Sequence, residues 1–136
     1  ALVVATTFIL LAVTVPIIQH TLDAYKLRSA VASATWAIGT TRYQALMKGY
    51  PFAVAFNPTS RTYQVSSQAP GAAQFSNVGS AVPLSGSSIV LNRATTLQFL
   101  PNGFVQATTG QTNFAISFQG STKTITVTSY GNVSVN

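Results

Sequence analysis

The chain has 136 residues, seven cations against a single acid, and no cysteine. Charged residues make up 6% and hydrophobic residues 47%, against roughly 25% charged in ordinary soluble domains, which excludes intrinsic disorder. Without cysteine there are no disulfides, thiolate metal sites or cysteine nucleophiles. With Asp23, His20 and no glutamate, paired-carboxylate chemistry, metal cages and triads lack their components. The sequence therefore does not describe a hydrolytic or metal-dependent enzyme, and it implies no cofactor.

The first element is "ALVVATTFILLAVTVPIIQ", nineteen residues without a charge. Residues 1–18 suit a helix that is apolar all round, bent at Pro16, where proline removes a backbone donor and crowds the preceding turn. A cleavable signal needs a basic start and a nearby small-residue cleavage site, and neither is present. A permanent anchor is physically possible, although a span needs about 20 residues. The third reading is a helix that waits in a membrane and then packs against identical helices, with small residues such as Ala5, Thr6 and Ala12 allowing close approach. In that reading Leu2, Val3, Val4, Phe8, Ile9, Leu10, Leu11, Val13, Val15, Pro16, Ile17 and Ile18 form a filament core.

The helical texture continues. Leu27, Val31, Ala34, Ile38 and Ala45 recur at helical spacing, while Lys26, Arg28, Gln44 and Lys48 lie away from that face. Leu27, Val31, Ala34 and Ile38 are thus candidates for packing the helix on a sheet. Asp23 and Lys26, three apart, form a candidate surface pair, and His20 is read as a polar helix residue near an interface. Gly49 and Pro51 end the helix, one by a left-handed cap and the other by blocking continuation. A helix of about 48 residues measures roughly 72 Å, more than a globule of this size needs, so part of it protrudes.

From residue 51 onward short apolar runs alternate with turn formers, the pattern of antiparallel strands. Strands are predicted at 51–56 and 62–67 around the turn "NPTSR". A long loop follows over 68–86, with room for one short strand near 75–78. Further strands are predicted at 87–92 and 95–100, "PNG" (101–103) is a turn suited to positive φ, and "FVQA" leads to a strand at 113–119. "GSTK" turns into 124–129, and 133–135 makes a last short strand. In the final hairpin Phe114, Ile116 and Phe118 share a face with Ile125 and Val127 opposite. Most strand aromatics are core residues on this reading, and a stacking platform for single-stranded nucleic acid is the less favoured use of them.

An uncharged, proline-containing helix that runs into an amphipathic helix and then a sheet resembles a type IV pilin or pseudopilin. "YKLRSA" (25–30), then Arg42, Ala45, Leu46 and Gly49, then Phe56-Asn57-Pro58, are similar to the opening of FimT-like pilins and H-type minor pseudopilins of type II secretion. "LQFLPNG" (97–103) and "ITVTSYGNVSV" (125–135) match that family's later strands. The resemblance implies an α+β pilin fold: a hydrophobic helix over 1–21, an amphipathic continuation over 22–50, and an antiparallel sheet domain over 51–136. It implies a structural subunit that sits in the inner membrane before assembly and then joins a helical filament, with copies of itself and related pilins, at the cell surface. It also implies a glutamate near the mature N-terminus. Ala5 holds that place if Ala1 is the mature start, and aligning Pro16 with the family's helix proline puts the glutamate upstream of Ala1. Two alternatives stay open: a non-polymerising membrane-anchored domain, and a DNA-uptake or tip-located subunit that binds through Arg61, Arg93 and Lys123. Against DNA, "NVSVN" after Gly131 lacks the basic residues of DNA-uptake members. "NVS" (132–134) is a formal N-glycosylation sequon.

Overall fold

The computed structural model describes the backbone of residues 2–84 and 89–136, and the side chains of residues 25–84 and 89–136. Among the described residues one helix, α1 (Leu2–Lys48), precedes nine strands: β1 (Phe52–Asn57), β2 (Thr62–Ser67), β3 (Ser76–Pro83), β4 (Val90–Leu91), β5 (Thr95–Phe99), β6 (Val105–Thr109), β7 (Asn113–Phe118), β8 (Ser121–Val127) and β9 (Val133–Val135). This is the expected α+β arrangement. Helix α1 continues through Pro16, and its last turn carries Lys48 against the negative end of the dipole. Gly49 stops it at φ 77°, a conformation that costs glycine little.

The strands form two antiparallel sheets rather than one. The larger has the order β3-β2-β1-β5-β6 and the smaller β4-β7-β8-β9. In the larger sheet Phe52, Val54 and Phe56 pair with Phe99, Leu97 and Thr95 on one side and with Ser67, Val65 and Tyr63 on the other. Because side chains alternate along a strand, these residues share the core face. In the smaller sheet Phe114 stands opposite Ile125, and Ile116 opposite Lys123. The two sheets meet where the rings of Phe56 and Phe114 lie 4.6 Å apart, and Val105 N–H donates to the Ser129 carbonyl at 2.9 Å.

Helix α1 closes this core. Leu27, Ala30, Ala34, Ala37, Ile38 and Ala45 are buried with the strand aromatics. Four of these six are alanines, whose small volume lets the helix backbone seat close to the sheets. Each fully buried Phe, Leu or Ile contributes about 1.5–3 kcal/mol of transfer free energy. Thr41, also buried, is satisfied within the helix by donating to the Ala37 carbonyl at 2.6 Å.

Several strand boundaries differ from the sequence expectation. The stretch read as loop with a short strand holds the eight-residue β3, which pairs with β2 across a register shift between Tyr63 and Val65. Gly79, at φ 73°, supplies the irregularity that disguised it. The strand expected at 87–92 is described only as Val90–Leu91; residues 87 and 88 lie outside the described residues. It ends at Asn92, whose side-chain oxygen accepts from Ala115 N–H at 2.9 Å in place of a ladder bond. In "PNG" only Gly103 has positive φ, at 93°. Its N–H donates to the Leu100 carbonyl at 2.9 Å, which places Pro101 and Asn102 at the centre of a turn with glycine last, the type I pattern. The last long hairpin turns at Gln119 and Gly120, with φ of 46° and 84°. Two positive-φ residues make the type I′ turn that matches strand twist, so β8 starts at Ser121 and Lys123 belongs to the strand, not the turn.

Candidate functional site

The residue types needed for catalysis are scarce, so the candidate site is a set of surfaces on α1 and at the ends of the sheets. Among the described residues no group of three or more His, Cys, Asp or Glu is placed to hold a metal ion.

The inner face of α1 carries Leu27, Ala34 and Ile38, all buried in the core, with Val31 half-buried against it. The outer face is unusual. Tyr25, Trp36, Tyr43 and Met47 are 62–69% exposed. Their spacings of eleven, seven and four residues return to nearly one direction at about 3.6 residues per turn. Trp36 lies nine residues after Leu27, roughly half a turn round from the buried stripe. One helix therefore presents two apolar stripes, one covered by the sheets and one bare. The outer stripe was readable from helical periodicity, but attention to the inner stripe alone passes it over. Beside it, a groove of about 180 Å³ runs between Trp36 and Thr40 of α1 and Tyr63, Val65, Val78 and Val82 of β2 and β3. Strand β3, exposed along its whole length, is the sheet edge on that side.

The filament-core residues Leu2, Val3, Val4, Phe8, Ile9, Leu10, Leu11, Val13, Val15, Pro16, Ile17 and Ile18 are all in α1, and their side chains lie outside those described, as do those of His20 and Asp23. Lys26, the other half of the expected pair, has its ammonium 5.7 Å from the centre of the Phe118 ring, within cation–π reach. Among the described residues no helix is long and apolar enough to cross a membrane.

The three basic candidates come from different elements. Arg61 closes the β1–β2 turn at φ 57°. Its N–H bonds the Asn57 carbonyl at 2.9 Å, and Asn57 Oδ1 accepts from Thr59 and Ser60. Arg93 sits between β4 and β5, half-buried like Arg61, while Lys123 is exposed on β8. Toward the C-terminal end of α1, Arg42 lies against Gly131. That glycine is buried at φ 88°, and a Cβ there would stand 2.7 Å from Arg42 Cδ and 3.0 Å from Cζ. Arg42 Nε is buried without a hydrogen-bond partner among the described residues.

No protein-family model and no curated protein matches the sequence. Among solved structures, the chain is similar to the minor pseudopilin EpsH from the type 2 secretion system of Vibrio cholerae. The TM-score is 0.65 at 13% identity, covering 82% of this chain and 96% of that one. At such low identity the likeness is one of architecture: the protein has a pilin-like fold of the minor-pseudopilin kind. The fold is the one that the sequence resemblance implies.

Proposed function

We propose that the chain is a structural subunit of a type IV pilus-like filament or type II secretion pseudopilus. It waits in the inner membrane and assembles through its N-terminal helix with copies of itself and with related pilins into a filament at the cell surface. The observation that carries this reading is the bare stripe of Tyr25, Trp36, Tyr43 and Met47 on the same helix as the uncharged residues 2–19. A monomeric domain gains nothing by exposing four large apolar side chains in a line, whereas a helix that packs against neighbours buries them. Helix α1 starts 25 residues before Leu27, its first buried side chain among the described residues, so a length of roughly 37 Å precedes the core at 1.5 Å per residue. The likeness to EpsH supports the same reading.

Filament interfaces of this kind are held by apolar burial and helix packing, which fits a chain with no cysteine and few charges to desolvate. The test is immunoelectron microscopy of sheared surface and envelope material with an antibody to the sheet domain. Labelled helical filaments are expected; label confined to membrane fragments would identify a non-polymerising anchored domain instead.

A further inference from the structure

Two uncovered apolar surfaces flank α1, and they are unlike. Trp36, Thr40 and Gln44, spaced by four, line the groove shared with β2 and β3. Arg42 and Leu46, also spaced by four, face Gly131 and Gly103. Thr40 and Arg42 are two residues apart, as are Gln44 and Leu46, and two residues turn a helix by about 200°. The groove and the Leu46 side therefore lie on opposite flanks of one helix. Next to Gly103 and Gly131 in the chain stand Phe104 and Tyr130, whose rings are 5.6 Å apart. Leu46 and Phe104 are each 44% exposed and Tyr130 is 67% exposed, so this flank ends in a bare aromatic pair. The turn that carries Tyr130 is closed by backbone bonds of 2.9 Å, from Gly131 N–H to the Thr128 carbonyl and from Thr128 N–H to the Asn132 carbonyl. The ring is thus held in place before any contact forms.

The other flank can receive such a ring. The groove measures about 180 Å³, and a cavity of about 150 Å³ accepts benzene. Trp36, Tyr63, Val65, Val78 and Val82 give it apolar walls, while Thr40, Gln44 and Ser80 add uncharged polar groups, a combination that suits a phenol. Strand β3, the sheet edge there, has no charged side chain to guard it and is blunted only by Pro83 and the irregularity at Gly79. Residues 62–92 carry no charge at all.

We infer that Tyr130 of one copy, backed by Phe104, enters the groove beside Trp36 of the next. The occupant follows from charge and from fit. A chain with seven cations and one acid repels its copies unless they meet through neutral surfaces. This contact joins an uncharged groove to two uncharged rings and brings in Arg42 only at its margin. An acidic partner would find no cation in the lining. Because the two surfaces differ, the contact is heterologous: each copy keeps a groove for one neighbour and a Tyr130 for another, so it propagates instead of closing in pairs. The sheet domains thereby gain a contact of their own beside the packing of the apolar helices.

The inference rests on the filament step of the proposed function, and the experiment separates the two. The chain has no cysteine, so Ser80→Cys, in the groove, and Ser129→Cys, beside Tyr130, introduce single thiols at exposed positions. The two variants are produced alone, together in one cell, or combined in one chain, and sheared filaments are treated with a short bismaleimide. Recovery is read first: absence of the unaltered chain from filaments overturns the subunit reading and this contact with it. In filaments, the two co-produced variants are expected to give dimers, the combined variant a ladder of trimers and longer products, and each variant alone only monomer. Adding Tyr130→Ala to the combined variant is expected to lower the cross-linked fraction by about tenfold, whereas Tyr130→Phe, which keeps the ring, retains the ladder. Filaments without cross-links, dimers from Ser129→Cys alone, or an equal ladder when Ser121→Cys on β8 replaces Ser80→Cys would overturn the contact and leave assembly standing. So would cross-linking of Ser80→Cys to a different protein and never to Ser129→Cys, which would assign the groove to that partner.

Discussion

The contact between Arg42 and Gly131 joins the end of α1 to the turn between β8 and β9, and its energetics can be worked from the geometry. Gly131 N–H and Asn132 N–H both bond Thr128, at 2.9 Å to the carbonyl and 3.1 Å to Oγ1, so the turn has little freedom to shift. Gly131→Ala puts a methyl group at φ 88°, which costs about 1–3 kcal/mol in backbone strain. The same methyl overlaps the Arg42 side chain, adding about 1–2 kcal/mol, in the range for overpacking. The single variant should lose about 2–5 kcal/mol. Arg42→Ala should cost about 1 kcal/mol, mainly through lost packing of its aliphatic stem. With Arg42 absent the overlap disappears and only the strain remains, so the double variant should be about 1–2 kcal/mol more stable than the sum of the singles implies. Urea unfolding followed by far-ultraviolet circular dichroism measures all four corners of the cycle. Additivity within about 0.5 kcal/mol would show that the two residues do not constrain each other, and the account of why glycine stands at 131 would fail.

Three other outcomes follow from single sites. Thr95 is buried with its hydroxyl unpartnered among the described residues, so Thr95→Val should hold or raise stability by up to about 1.5 kcal/mol in the same assay; a clear loss would mean the hydroxyl has a partner. Ile38→Ala removes a side chain that is 0% exposed and should cost about 2–5 kcal/mol, with unfolding of less than 1 kcal/mol contradicting the seating of α1. Arg61, at φ 57°, should tolerate glycine within about 1 kcal/mol, whereas Arg61→Val should destabilise by at least about 1 kcal/mol because a β-branched residue fits that region poorly.

Much of this architecture was legible from periodicity. The inner stripe of α1 and the alternation of Phe114, Ile116 and Phe118 both follow from which side chains can reach a core. The division into two sheets was not legible, because it depends on β4 leaving its neighbour in sequence to pair with β7. Strand β3 was hidden by Gly79 and by flanking turn formers, and it is held by its partner β2 more than by its own propensity. The turn at Gln119 and Gly120 was misplaced by three residues because glutamine rarely takes positive φ, and the twist of the hairpin outweighs that reluctance here. The bare stripe could have been found by following Tyr25, Trp36, Tyr43 and Met47 round the helix.

In the proposed function, apolar contacts made by the N-terminal helix build the polymer. Leu10→Arg places a charge in the uncharged run and leaves the sequence of the sheet domain unaltered, and it is read as the fraction of chain recovered in sheared filaments beside an unaltered control. The variant chain is expected to be made, to keep the circular dichroism of a folded domain, and to be missing from filaments. Filaments that contain Leu10→Arg in normal amounts would contradict it.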